Sequence, residues 1–271
     1  MDGIKLTLLS VSLLLGGYHN ALCAEVKHHG ESYGYNLVFP SDWIQIPQDD
    51  MDKAFAAVSD PDSKHHIQYD AGFQESSATR LLEYPYVLVQ AIPYVSFGLN
   101  RQIYESEFPK IIKAITGLDL YEVVGQTLTS EAGQLFSKLQ TNKPHLDIAR
   151  RRYLWELEMN IEGTGQVKGL CAGYFGRNSL VQVMFYSTKS NWDDYSDVRK
   201  SIIESFYFDG NQAYSTELAS RSQASTIWER VLGKAIGGAV AGGLIALLLG
   251  IIPLSRRKRT DTEANMNTDE H

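Results

Sequence analysis

Cysteine is nearly missing from this chain: there are two in 271 residues, Cys23 and Cys171. Cys23 ends an N-terminal apolar stretch, so the part that folds keeps Cys171 alone and has no internal disulfide to close. Its stability must come from packing. Two common chemical motifs are also missing: no G-x-x-x-x-G-K-[ST] phosphate loop and no H-E-x-x-H zinc helix occurs. Asp60 and Asp62 start like a calcium loop, but His65 stands where glycine is needed and Ala71 where the closing glutamate belongs. Long basic stripes are lacking too. The net charge is −7, and the densest basic cluster, Arg256 to Arg259, lies at the far C-terminal end. Such a balance is poorly suited to gripping nucleic acid phosphates, so no nucleic acid partner is expected.

What the chain has in plenty is apolar sequence at its ends. Lys5 is followed by an apolar run from Leu6 to Leu15, with small residues at Ala21 and Ala24. That layout predicts a signal peptide over residues 1–23. Near the other end, no charged side chain occurs from Ala235 to Leu254. A helix of that length covers about 30 Å, the thickness of a bilayer's hydrocarbon core. The basic cluster follows it at once, which predicts a cytoplasmic C-terminus. The expected order is a leader at 1–23, an exported domain at 24–210, and a juxtamembrane linker at 211–232. A transmembrane helix at 233–254 and a cytoplasmic tail at 255–271 complete it. Within the span, Gly238, Gly242, Ala246 and Gly250 recur every fourth residue and share one helix face. Small-xxx-small rows let helices approach closely in lipid, so homo-oligomerisation or a partner helix is expected there.

Inside the exported domain the apolar period is mostly two. Tyr35, Leu37 and Phe39 alternate with Asn36 and Val38, then Pro40-Ser41-Asp42 turns the chain before Trp43. The stretch 53–74 reads as two strands joined by the Asp60-Pro61-Asp62 turn, and 84–95 as a strand with Pro85 and Pro93 near its ends. Residues 99–117 change to a helical period, interrupted by Pro109. Strands follow over 148–163, 166–175 and 179–187, with Arg151, Tyr153, Trp155, Leu157, Met159 and Ile161 on one face of the first. A closing helix is predicted from Asn191, acting as cap, to Phe206. Strands followed by covering helices predict an α+β fold.

Two segments, "GYNLVFPSDW" and "SLVQVMFYSTKSNWDDYSDVRKSIIESFYF", resemble the ends of the PsbP/Mog1-like superfamily. The resemblance implies an antiparallel β-sheet sandwiched by helices, and a binding or assembly module without catalytic residues. The expectation is therefore a non-catalytic, single-pass protein of the bacterial inner membrane, with a periplasmic domain that meets a protein partner. The alternative is a small-ligand or metal carrier, a sensor, or a hydrolase-type enzyme using a pocket between sheet and helices. No cofactor is predicted. His28, His29, His65 and His66, with Asp70, are the candidate metal ligands; neighbouring residues of a strand point oppositely, so one ion takes at most one of each pair. Cys171 is read as a buried, inert thiol, and Gly169, Gly173 and Gly176 as positions admitting a ligand or a close-packed helix. Arg150 to Arg152 are read as pairing with Glu156 and Glu158 or binding an anion.

Overall fold

Three long strands, Arg152–Ile161, Gly165–Phe175 and Ser179–Thr188, pair antiparallel in sequence order and form the frame of the molecule. The turn joining the first two carries Gly163 and Gly165 at φ of 82° and 90°, a backbone region open to glycine and costly for other residues. The computed structural model describes residues 25–56, 68–97, 102–110 and 136–219. Within them the strands are β1 (Val26–Gly30), β2 (Tyr35–Phe39), β3 (Trp43–Gln45), β4 (Ala71–Glu75) and β5 (Tyr86–Pro93). There follow β6 (Phe136–Thr141), β7 (His145–Asp147), β8 (Arg152–Ile161), β9 (Gly165–Phe175), β10 (Ser179–Thr188) and β11 (Tyr207–Phe208). Helix α1 covers Gln48–Ala56 and α2 covers Ser196–Glu204.

The eight-stranded sheet runs β3-β4-β5-β10-β9-β8-β6, with β7 also paired to β8; a smaller sheet runs β1-β2-β11. The first face of the large sheet, with Phe73, Val89, Val183 and Phe185, packs against Leu37 and Phe39 of the small sheet and Ile202 and Ile203 of α2. Phe39 stacks on Phe73 with centroids 3.9 Å apart, and Tyr174 on Phe206 at 3.8 Å. The expected sandwich between helices is thus corrected on this face, where a second sheet shares the cover with one helix. On the second face Met51 and Phe55 of α1 are buried, and Ile103 and Phe108 are buried in the segment 102–110.

Three local expectations change. Residues 53–56, read as the start of a strand, close helix α1, because Met51 and Phe55 are four apart and bury together. Helix α2 starts at Ser196; Asn191 ends a 3-10 turn instead, and the residue before the helix, Tyr195, makes no side-chain cap. Packing also continues past Gly210, since Gln102 bonds the Ser215 carbonyl at 2.8 Å and Tyr214 meets Phe108 edge-on. Among the described residues no helix is long and apolar enough to cross a membrane. The expected leader, the expected span with Gly238, Gly242, Ala246 and Gly250, and the basic tail lie outside them.

The β9 glycines have a definite use. A Cβ on Gly173 would overlap the Tyr153 ring, one on Gly169 would lie 2.7 Å from Tyr186, and one on Gly176 would lie 2.7 Å from Phe208. Aromatic rings fill these gaps. Gly173→Ala should therefore lower stability by about 1–3 kcal/mol through overpacking. Gly210→Ala, where an added Cβ meets nothing within 4 Å, should stay within about 0.5 kcal/mol. Equal unfolding midpoints for the two variants would contradict this packing.

Candidate functional site

On the second face, four strands present three rows of side chains in register. Gln90, Gln182, Gly173 and Tyr153 make one row; Leu88, Met184, Cys171 and Trp155 the next; Tyr86, Tyr186, Gly169 and Leu157 the third. Strand spacings make this patch about 14 Å on each side. Period-two alternation puts no Asp, Glu, Lys or Arg on these rows. Because Gly173 has no side chain, the Tyr153 ring lies across it and its oxygen accepts a hydrogen bond from Gln182 Nε2. Gln182 Nε2 also lies 3.8 Å from Cys171 Sγ. Tyr86 and Tyr186 rings sit 5.3 Å apart, and Tyr69, beneath Phe55 at 4.5 Å, adds a hydroxyl close enough to both tyrosines to interact with them.

These groups are buried and under-bonded. Among the described residues Tyr69 Oη, Tyr186 Oη, Gln90 Oε1 and Gln182 Oε1 have no hydrogen-bond partner. The Tyr84 hydroxyl lies within hydrogen-bonding reach of Tyr86, and Trp155 Nε1–H meets the Cys171 thiol, a weak acceptor. Exchanging the two ends of the Gln182 amide would only transfer the deficit to its nitrogen. Each such atom costs about 1–3 kcal/mol if nothing serves it, so these four call for partners, either trapped water or a ligand. Burial holds the phenols of Tyr69, Tyr86 and Tyr186 well above their ordinary pKa, so they stay neutral. It pushes the Cys171 thiol up to about 12, in keeping with the inert reading.

The histidines sit elsewhere. His28 and His29 point oppositely on β1: His29 bonds Asn36 at 3.1 Å and approaches Asp209 at 3.8 Å, while His28 turns inward against Phe73. His28 Nε2 lies 3.2 Å from Tyr35 Oη, whose proton is donated to Asp70. With that proton committed, His28 must donate through Nε2–H. So His28 and Asp70 do come together, but through a tyrosine. His65 and His66 lie outside the described residues, and among the described ones no group of three His, Cys, Asp or Glu side chains is placed to hold an ion. A feature easily overlooked in the sequence, Gly30-Glu31-Ser32-Tyr33-Gly34, has G-x-S-x-G spacing. It forms the hairpin turn between β1 and β2, with Ser32 exposed, and lacks the strand-to-helix elbow that the motif needs.

The arginines find carboxylates other than those expected. Arg152 is buried, with Glu204 at 2.8 Å and Asp147 at 3.4 Å; Arg150 shares both carboxylates from the surface. Arg151 leaves the strand through a left-handed turn, φ 49°, and pairs with Glu105 at 3.0 Å. Glu158 instead pairs with Lys189 at 2.6 Å.

Two predictions follow from these contacts. Arg152→Ala removes the buried cation and its 2.8 Å bond to Glu204 and should cost about 2 kcal/mol or more, whereas Arg150→Ala, at an exposed pair, should cost less than about 1 kcal/mol. Denaturant midpoints of the two variants will check the order. For His28, burial lowers the imidazole pKa below its ordinary value of about 6.5, with Asp70 opposing. Between the two values the unfolded chain binds more protons, so stability rises with pH and is lost on acidification. From pH 7.5 to 5, native protein should lose more stability than His28→Gln; parallel pH profiles would refute a neutral, buried His28.

No family model matches this chain, and no curated protein matches it. Among solved structures it is similar to cyanobacterial PsbP (CyanoP) from Synechocystis, with a TM-score of 0.37 and 14% identity over 72% of this chain and 96% of that one. It is similar to a Bacteroides thetaiotaomicron structure at 0.35 and 10%, over 70% of this chain and half (50%) of that one. LpqN, involved in cell envelope biogenesis of Mycobacterium tuberculosis, gives 0.32 and 13% over 68% and 89%. One of the three is thus a PsbP, the family that the two terminal segments resemble, and likeness this distant carries neither ligand nor partner across to this chain.

Proposed function

We propose that this is a non-catalytic binding protein of the bacterial envelope, held by one membrane span with its domain outside and its basic tail inside. The span packs against a second helix through the row Gly238, Gly242, Ala246 and Gly250. The domain binds a small ligand on the second face of its large sheet. What supports this reading is the set of four buried polar atoms on that face, Tyr69 Oη, Tyr186 Oη, Gln90 Oε1 and Gln182 Oε1, that have no hydrogen-bond partner among the described residues. Apolar surroundings with a few converging polar groups are what a small-molecule site needs. A protein partner, the other expectation, has less to hold among the described residues: the large exposed apolar residues Ile44 and Tyr207 lie on β3 and β11, Val95 on the 3-10 turn after β5, and Ile148 in the turn after β7.

The test is native mass spectrometry of the full chain released from membranes. A small-molecule adduct should travel with the chain and be lost in the double variant Gln90→Leu/Gln182→Leu. A chain that emerges bare from every preparation overturns ligand binding.

A further inference from the structure

The second-face site has a chemistry that narrows its ligand, and this narrowing rests on the ligand-binding reading just given. We propose that the site takes an uncharged molecule with a flat apolar body and at least one N–H or O–H donor. Three observations lead there. First, Gln90 Oε1 and Gln182 Oε1, both acceptors as placed, stand directly opposite each other on β5 and β10 without a hydrogen-bond partner among the described residues. A donor placed between these strands would satisfy both.

Second, the rows hold no charge to meet a charged ligand. The nearby arginines Arg150, Arg151 and Arg152 are all engaged by carboxylates. A carboxylate or ammonium brought among these side chains would lose its hydration without a counter-ion. Third, the face is built of rings laid flat. Tyr153 covers Gly173 and Tyr186 covers Gly169, while Tyr86 and Tyr186 are tilted neighbours. Backbone without side chains lies under the two covering rings, so turning either ring aside leaves a slot with a glycine floor and aromatic walls. The three tyrosine hydroxyls both donate and accept, which lets them bond whatever the ligand carries at its rim.

Indole, benzofuran and indole-3-carboxylate separate these claims: they share a shape, but the second lacks the donor and the third adds a charge. Binding is read by calorimetry with the full chain in lipid discs, against empty discs. Indole should bind at least about tenfold more tightly than either comparator. Gln90→Leu/Gln182→Leu should weaken indole about fivefold or more and leave benzofuran unchanged. Because Gln182→Leu also removes the bond to Tyr153, Gln90→Leu alone, which spares that bond, is measured beside it and should weaken indole in the same direction. Equal binding of indole and indole-3-carboxylate, or of indole and benzofuran, overturns the ligand class and leaves the site standing. No binding of any probe, with the double variant simply more stable, means that water alone serves these atoms, and both the class and the site fall.

Discussion

Strand β10 is buried along both faces over nearly its whole length. Everything else in the domain follows from having to cover it twice. Such strands usually read as unbroken aliphatic runs. Here the two faces differ sharply: Val181, Val183 and Phe185 enter an apolar core, while Gln182 and Tyr186 enter the other side with Gln90 and Tyr86 opposite them. The first face is closed by stacked rings and by the small sheet, and it carries the stability. The second face is equally dry but holds polar groups that its own neighbours do not satisfy. Retaining such groups is unfavourable in a face that serves packing alone, because leucine would fill the same positions at no desolvation cost.

The β9 glycines connect that chemistry to the backbone. An ordinary side chain at residue 173 would displace the Tyr153 ring that lies over it. The ring's flat posture is what carries its hydroxyl across one strand to Gln182. Glycine on one strand therefore sets the direction of a polar group on the next. Spacing along β9 reveals that something fills the gaps; it does not reveal that the filler comes from β8 and β10, because register belongs to the pairing and not to any one strand.

That distinction also explains which features could be read in advance. Strands β2, β8, β9 and β10 were legible because their large residues alternate over several positions, and the stripe Val198, Ile202, Ile203 and Phe206 marked α2. Helix α1 was not, because its signal is the pair Met51 and Phe55, and starting a reading at Lys53 removes half of it. Strands β7 and β11 are two or three residues long, below the length at which a period exists. The arginine partners lie far along the chain: Glu204 reaches Arg152 across 52 positions, and local charge spacing cannot show this. His28 and Asp70 were read as candidate ligands of one ion, whereas Tyr35, which joins them, was legible only as a core position. The unpartnered atoms of the second face were beyond the sequence altogether, since a missing partner is a property of three-dimensional packing.

Charge is partitioned in the same way as packing. Arg152, Asp147 and Glu204 tie the start of β8 to the end of α2, and Asp70 with Tyr35 and His28 ties the small sheet to the segment before β4. Both networks stand at the rim of the first face. With carboxylates already opposite each of these arginines, freeing one for an outside anion would expose a partner of like charge to that anion, an unfavourable exchange. The second face has the reverse character: neutral groups, high in bonding capacity and without counter-ions. A face arranged this way disfavours ions at the place where it is short of hydrogen bonds, and which strand positions face inward sets that character.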